Sequence, residues 1–258
     1  MKSPARPTAG SAAPAAVVFD VDGTLVDSER HGHRVAFNLA FEEFGLPYRW
    51  DEEEYGRLLR TTGGRRRIEG YLEATGMGEE RSALAASLHE RKTEMMIGLI
   101  EEGRIAARPG ACRLLAELAG AGAALAIATT GSRGWVERVL ARSTPDADFT
   151  VVVTGTDVEA RKPDPEAYRR AVELLGVPAA EVVAVEDSAE GLASALGAGL
   201  RCAVVVNGYT ADHDFDGADL VLDGFGEPDR PALVVADPHG TRCSGVLDAA
   251  TLARLLEA

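Results

Sequence analysis

Val17-Val18-Phe19-Asp20-Val21-Asp22-Gly23-Thr24-Leu25-Val26-Asp27-Ser28-Glu29 decides how this chain is read. Three apolar residues run directly into an acidic turn that contains glycine, the pattern of a buried strand ending at a site. Side chains two apart on a strand point the same way, so Asp20 and Asp22 are expected to face one crevice. Two carboxylates held that close repel unless a cation or a shared proton relieves them. Gly23 lets the backbone turn sharply beside a ligand. A strand that is merely capped by an acidic turn would look similar, but three downstream segments complete a more specific pattern. The chemistry suggested is an aspartyl nucleophile, a second aspartate that handles protons, and a magnesium ion.

With 258 residues, 46% of them hydrophobic, the chain can build one large core or a core with an inserted lobe. A net charge of −14 argues against nucleic acid or an anionic membrane as partner. A phosphorylated substrate would then need a local patch of positive charge. The only lysines are Lys2, Lys92 and Lys162. Cys112, Cys202 and Cys243 are odd in number and widely spaced, and read as small buried thiols in a reducing compartment. No run approaches the length of a membrane span, and residues 1–16, rich in proline and small residues, read as a flexible tail without a signal-peptide core. These features predict a cytoplasmic protein, monomeric by default.

From about residue 30 to 106 the pattern is helical, with Val35, Phe37, Leu39, Ala40 and Phe44 in one segment and Leu84, Leu88, Met95, Met96 and Leu99 in another. After Arg108-Pro109-Gly110, helices alternate with the short apolar runs Ala123–Ala128, Phe149–Val153, Val182–Val185 and Cys202–Val206. That alternation implies an α/β fold: a Rossmann-like, mostly parallel-sheet core covered on both faces, with an inserted α-helical cap. The predicted division is a core of residues 17–30 and 107–258, a helical cap of 31–106 placed to act as a lid, and an extension at 225–258. The extension ends in one more apolar run, Leu233–Ala236, and a short helix, Leu247–Leu256.

Ligands of open parallel sheets bind at the carboxyl ends of the strands, and each chemically loaded segment falls at such an end. Thr129-Thr130-Gly131-Ser132 follows one strand and can present hydroxyls and backbone N–H groups to phosphate oxygens. Arg161-Lys162-Pro163-Asp164-Pro165 frames a compact cation able to bridge a carboxylate and a phosphate. Val183-Ala184-Val185-Glu186-Asp187-Ser188 ends a strand in two acids, with Asp187 placed as a magnesium ligand and Glu186 as a direct or water-mediated second. In the cap, Gly63-Gly64 opens a helix whose free N–H groups suit an anion, and the following arginines add forked donors. Arg65, Arg66 and Arg67 cannot all face one phosphate, because successive helical residues diverge by about 100°. By the same geometry His31 and His33 do not share a helix face, which argues against a metal pair there.

In order, DxDGT, strand-Thr, Lys-Pro and strand-Glu-Asp resemble the four motifs of the haloacid dehalogenase superfamily, over about residues 15 to 224. The resemblance implies Asp20 as the nucleophile that forms an aspartyl-phosphate and Asp22 as general acid and then base. It further implies Thr129 and Lys162 as holders of the phosphoryl group, and Mg2+ on Asp20, the Asp22 carbonyl and Asp187. The dehalogenases that name the superfamily lack the second aspartate, so Asp22 favours phosphate esters. Ala36-Phe37-Asn38, Trp50-Asp51, Tyr55-Gly56-Arg57-Leu58-Leu59 and Thr62-Gly63-Gly64-Arg65-Arg66-Arg67-Ile68 are similar to the CbbY-like branch. That branch includes phosphatases of sugar bisphosphates such as xylulose 1,5-bisphosphate and neighbours β-phosphoglucomutase. Its usual cap loop is Thr-Gly-Gly-Lys-Glu-Arg, so this chain carries two more arginines in place of a lysine and a glutamate. Its usual Glu-to-His spacing is one residue shorter than Glu29-Arg30-His31-Gly32-His33. The resemblance implies a small sugar phosphate or bisphosphate as substrate, touched by Glu29, His33, Gly63, Gly64, Arg65, Arg67 and Thr130. A sugar phosphomutase with the same site is the alternative, and a non-catalytic sugar-phosphate-binding protein is the alternative of another class.

Overall fold

The structure, a computed structural model, describes residues 13–61 and 63–258; most of the expected tail, and Thr62 of the cap loop, lie outside the described residues. Two compact units form, one comprising the chain up to Val26 together with Ala107–Ala258, the other Asp27–Ala106. Residues 27–30, expected in the core, therefore belong to the helical unit. Ala13–Ala16, expected in the tail, instead line the core: Ala13 and Ala16 are buried, and the Ala15 N–H donates to the Glu181 carbonyl.

The first unit is built on a seven-stranded sheet. Its strands are β1 (Ala16–Phe19), β2 (Ala124–Ala128), β3 (Phe149–Val153), β4 (Val182–Glu186), β5 (Arg201–Val205), β6 (Leu220–Leu222) and β7 (Val234–Ala236). The order is β3-β2-β1-β4-β5-β6-β7, parallel throughout except for β7, which runs antiparallel to β6. The central strands β1 and β4 are buried at every position, as continuous Val/Ala/Phe runs covered on both faces must be. The sequence pattern anticipates five of these strands to within a residue. The run at Leu233–Ala236 is an antiparallel edge strand, and Leu233 and Val235 are exposed.

Strand order reverses at β1: the chain moves outward through β2 and β3, then returns to the other side of β1 as β4. This switch leaves a crevice above the carboxyl ends of β1 and β4. Register places Phe19 beside both Ile127 and Val185, so Asp20, Thr129 and Glu186 all emerge at that end of the sheet. Core helices α5 (Ala111–Gly120), α6 (Arg133–Ser143), α7 (Glu166–Leu175) and α8 (Ala189–Gly197) follow their strands. In α5 the buried set Ala111, Leu114, Leu115 and Leu118 has the spacing of one helix face. A final helix, α9 (Ala249–Leu255), closes the extension. Arg113 of α5 ties that extension down: it donates to the Gly226 and Leu247 carbonyls at 2.9 and 3.1 Å and pairs with Glu227 at 2.9 Å.

The second unit contains α1 (Arg34–Glu43), α2 (Glu52–Leu58), α3 (Gly64–Ala74) and α4 (Arg81–Glu101). Its core differs in detail from the periodic reading. In α1 the buried residues are Ala36, Phe37, Ala40 and Phe41, whereas Leu39 and Phe44 are exposed. In α4 they are Ala85, Leu88, Lys92, Met96, Leu99 and Ile100, so a lysine occupies an apolar stripe. Rings of Phe37, Phe41, Trp50, Tyr55 and Tyr71 pack with centroids from 4.9 to 6.4 Å apart. Asn38 binds the Trp50 backbone in both directions, its Nδ2 donating to the carbonyl and its Oδ1 accepting from the N–H, each at 2.8 Å.

Among the described residues, no helix is long and apolar enough to cross a membrane. The cysteines correct one expectation: Cys202 is buried, Cys243 is half-buried and Cys112 is exposed. Asn38→Ala removes the partner of the Trp50 N–H and leaves the carbonyl of this fully buried residue only the longer contact from Arg34 NH1 at 3.4 Å. It is expected to destabilise the protein by about 2 kcal/mol in a urea melt.

Candidate functional site

Asp20 follows β1 directly, and its N–H still donates to the Val185 carbonyl of β4. The backbone then turns, with the Gly23 N–H donating to the Val26 carbonyl. Asp22 stands in that turn, half-buried, where β1 no longer dictates alternation. Gly23 has φ 83°, and a Cβ there would meet Asp187 Oδ2 at 2.5 Å, so both conformation and space require glycine.

Lys162 is the centre of the cluster. Its Nζ donates to Asp20 Oδ1 at 2.6 Å and to Glu186 Oε1 at 2.5 Å, and all three side chains are at most 8% exposed. The same Glu186 oxygen accepts from the Tyr168 hydroxyl at 2.8 Å, while Oε2 accepts from the Asp187 N–H at 3.1 Å. Asp187 is oriented by two donors, Thr24 Oγ1 on Oδ1 at 2.8 Å and Asn207 Nδ2 on Oδ2 at 2.7 Å. Thr129, at the end of β2, is 1% exposed, and its Oγ1 accepts from the Gly131 N–H at 3.2 Å. Thr130 beside it is half-buried.

Burial, and then the charge of Glu186, raise the Asp20 carboxyl from 3.8 to about 7 despite the opposing pull of Lys162. Burial, followed by Glu186 and Asp20, pushes Asp187 well above the usual carboxylate range. Burial alone would lower Lys162, but the two carboxylates outweigh it and hold the ammonium above its ordinary range. Lys162 thus pairs with two of the three clustered acids and not with Asp187. Asp20, Glu186 and Asp187 offer oxygens within 4.8 Å of one another, a set of hard donors that fits a divalent cation and would be relieved by it.

The helical unit holds a second cluster. A π-turn at Glu29–His33, marked by the Arg34 N–H donating to the Glu29 carbonyl, absorbs the extra residue between Glu29 and His33. Glu29 and His33 then both lie toward Arg67: Glu29 accepts from the Tyr55 hydroxyl, which in turn accepts from Arg67 NH1 at 3.2 Å. Arg67 is 8% exposed, whereas Arg65 and Arg66 are exposed. Lys92 Nζ lies 2.7 Å from His33 Nδ1 and 4.8 Å from the Phe37 ring centroid. An ammonium can only donate, so Nδ1 is the acceptor and the neutral imidazole carries its proton on Nε2. Burial and then Lys92, Arg67 and His89 lower His33 well below its usual value, which agrees. His89 packs against Gly64, where a Cβ would come within 2.9 Å of the imidazole. His31, by contrast, is 59% exposed beside Asp27, so the two histidines point apart.

Sequence reasoning missed Asn207, Lys92, His89, Tyr168 and Arg108. A signal existed for two of them: Asn207-Gly208 is a turn dipeptide at a strand end, and Lys92 interrupts an apolar helical stripe.

A strand-end aspartate paired to a buried lysine, with two further acids on the neighbouring strand, is the arrangement of a phosphoryl-transfer hydrolase. The model of the haloacid dehalogenase-like hydrolases matches residues 14–199, and the chain belongs to that family, as one of its phosphatases. Protein CbbY of Cereibacter sphaeroides is 45% identical over 216 residues, covering 82% of this chain and 93% of that protein. A CbbY-like protein of Arabidopsis thaliana is 40% identical over 224 residues, covering 83% and 70%. Among solved structures, CbbY from Rhodobacter sphaeroides in complex with xylulose 1,5-bisphosphate shares 42% identity, with 82% of this chain and 94% of that one covered and a TM-score of 0.71.

The folded-state value of Asp20 lies above its unfolded value of 3.8, so the folded protein binds that proton more tightly and loses stability as pH rises toward about 7. A divalent cation offsets the loss only once the carboxyl has ionised. The rise in melting temperature caused by millimolar MgCl2 is therefore expected to be larger near pH 8 than near pH 5.5; an equal rise would contradict this electrostatic account.

Proposed function

We propose that this protein is a magnesium-dependent phosphatase of a small sugar bisphosphate resembling xylulose 1,5-bisphosphate, acting through an aspartyl-phosphate on Asp20. The observation that carries the reading is the buried Asp20–Lys162–Glu186 chain at the switch point of the sheet, in a chain similar to a CbbY that was crystallised with that sugar. Asp20, the Asp22 carbonyl and Asp187 would hold Mg2+, with Glu186 beside them as a direct or water-mediated partner and as counter-charge to Lys162. The ion supplies charge neutralisation between the nucleophile and the phosphoryl oxygens.

In the first half-reaction an Asp20 oxygen attacks phosphorus; the new P–O bond forms as the ester P–O bond breaks, and Asp22 donates its proton to the departing sugar oxygen. In the second, Asp22 takes a proton from water as that water attacks phosphorus. The acyl-phosphate bond breaks, releasing inorganic phosphate and restoring Asp20. Lys162 and Thr129, with Thr130 beside them, hold the phosphoryl oxygens through both steps, so catalysis consists mainly of positioning and charge neutralisation.

The second phosphate of the substrate is assigned to the cationic cluster of the helical unit. Lys92 and Arg67 are both nearly buried, with Arg65 at the helix start beside Gly63 and Gly64, while Glu29 is the carboxylate bonded into the same network. The neutral His33, held beside Lys92 through Nδ1, suits a sugar hydroxyl or phosphate oxygen.

Phosphate release measured with Mg2+ across xylulose 1,5-bisphosphate, ribulose 1,5-bisphosphate, phosphoglycolate and β-glucose 1-phosphate tests the assignment. Selective turnover of a pentulose bisphosphate, abolished in Asp20→Asn, is expected. Conversion of β-glucose 1-phosphate to glucose 6-phosphate that needs a bisphosphate primer would move the protein to the mutases. Lys92→Met is expected to raise KM for the bisphosphate by about tenfold or more, the loss of one charge-assisted contact, with a smaller change in kcat.

A further inference from the structure

Arg108 stands one residue after Ala107, where the chain re-enters the core and pairs with Val26. Its N–H donates to the Leu25 carbonyl at 2.8 Å. The guanidinium reaches three more carbonyls: NH1 donates to Gly23 at 2.5 Å and Val205 at 2.8 Å, and NH2 to Val206 at 2.6 Å. The ring of Phe225 lies against it, 5.7 Å from centroid to guanidinium carbon. One side chain thus ties the turn after β1 to the end of β5.

Those two segments carry the donors on Asp187. Thr24, next to Gly23, donates to Oδ1, and Asn207, next to Val206, donates to Oδ2. Asn207 Nδ2 also lies 3.3 Å from the Gly23 carbonyl, so Arg108 and Asn207 converge on a single acceptor. The orientation of Asn207 is itself fixed, its Oδ1 accepting from the Tyr209 N–H at 2.8 Å and its own N–H donating to Thr210 Oγ1 at 3.1 Å. Outer partners of this kind set the direction of a carboxylate ligand and hence its affinity for a metal.

We propose that Arg108 is a positioning residue for cation binding: by joining Gly23 to the end of β5 it sets Thr24 and Asn207, and through them the carboxylate of Asp187. The inference rests on the cation-binding role given to Asp187 above. It assigns to Arg108 a task beyond satisfying backbone carbonyls, because a purely structural arginine would change the melting temperature and leave the metal affinity of the folded protein alone.

The test is calorimetric titration of the whole chain with MgCl2. Arg108→Lys keeps the charge but loses the forked geometry that spans the two segments. Asn207→Ala removes the amide on Asp187 while leaving Arg108 in place. Each is expected to weaken Mg2+ binding by about tenfold or more, the usual scale for removal of an outer partner. Wild-type affinity in a folded Arg108→Lys overturns the proposal, whatever Asn207→Ala does. Should Arg108→Lys fail to fold, Asn207→Ala decides alone, its unchanged affinity counting against the relay. A wild-type protein that binds no Mg2+ would instead overturn the cation role of Asp187 itself.

Discussion

Lys162 sits between Asp20 and Glu186 with almost no access to water, and the rest of the site is arranged around that one cation. A buried ammonium is tolerated only when paired, and a buried carboxylate likewise. The triplet satisfies both conditions and still leaves an excess of negative charge, because Asp187 stands within reach. The fold places these groups together through topology: the return of the chain from β3 to β4 across β1 brings two strand ends side by side, and the loop before α7 carries the lysine to them. Tyr168, the first buried ring of α7, then closes the chain by donating to Glu186.

The helical unit shows a complementary imbalance. Lys92 and Arg67 are buried among aromatic rings, with Glu29 tied in through Tyr55. The core gathers Asp20, Glu186 and Asp187 in one place, and the helical unit gathers Lys92 and Arg67 beside Glu29. Each unit thus concentrates charge of one sign, although the chain as a whole carries a net charge of −14. Local arrangement therefore outweighs the overall field.

Much of the parallel core could be read directly, because the strands are continuous apolar runs and the site acids stand at their ends. Asp20, Glu186 and Asp187 were legible as neighbours for that reason, and Lys162 through the prolines that frame it. What escaped was of two kinds. Helix faces in the inserted unit were misjudged by a residue or so, since α1 buries Phe41 against the Trp50 ring and exposes Leu39. Residues acting through backbone carbonyls, such as Arg108, leave no pattern in sequence, because their acceptors are peptide groups common to every residue. The additional residue between Glu29 and His33 was visible as a spacing, but the π-turn that accommodates it was not.

Val26 and Ala107, where the chain leaves the core and returns to it, pair as an antiparallel bridge. The inserted unit is thus attached through two neighbouring points, the arrangement that makes domain insertion tolerable in general. Nothing in the register of β1 with β2 and β4 depends on how many residues lie between those points. The core behaves as a socket: a lobe of different length or shape could be exchanged there while the strand ends that carry the chemistry stay where they are. On the function proposed above, substrate choice and reaction chemistry would be separately heritable parts of one chain.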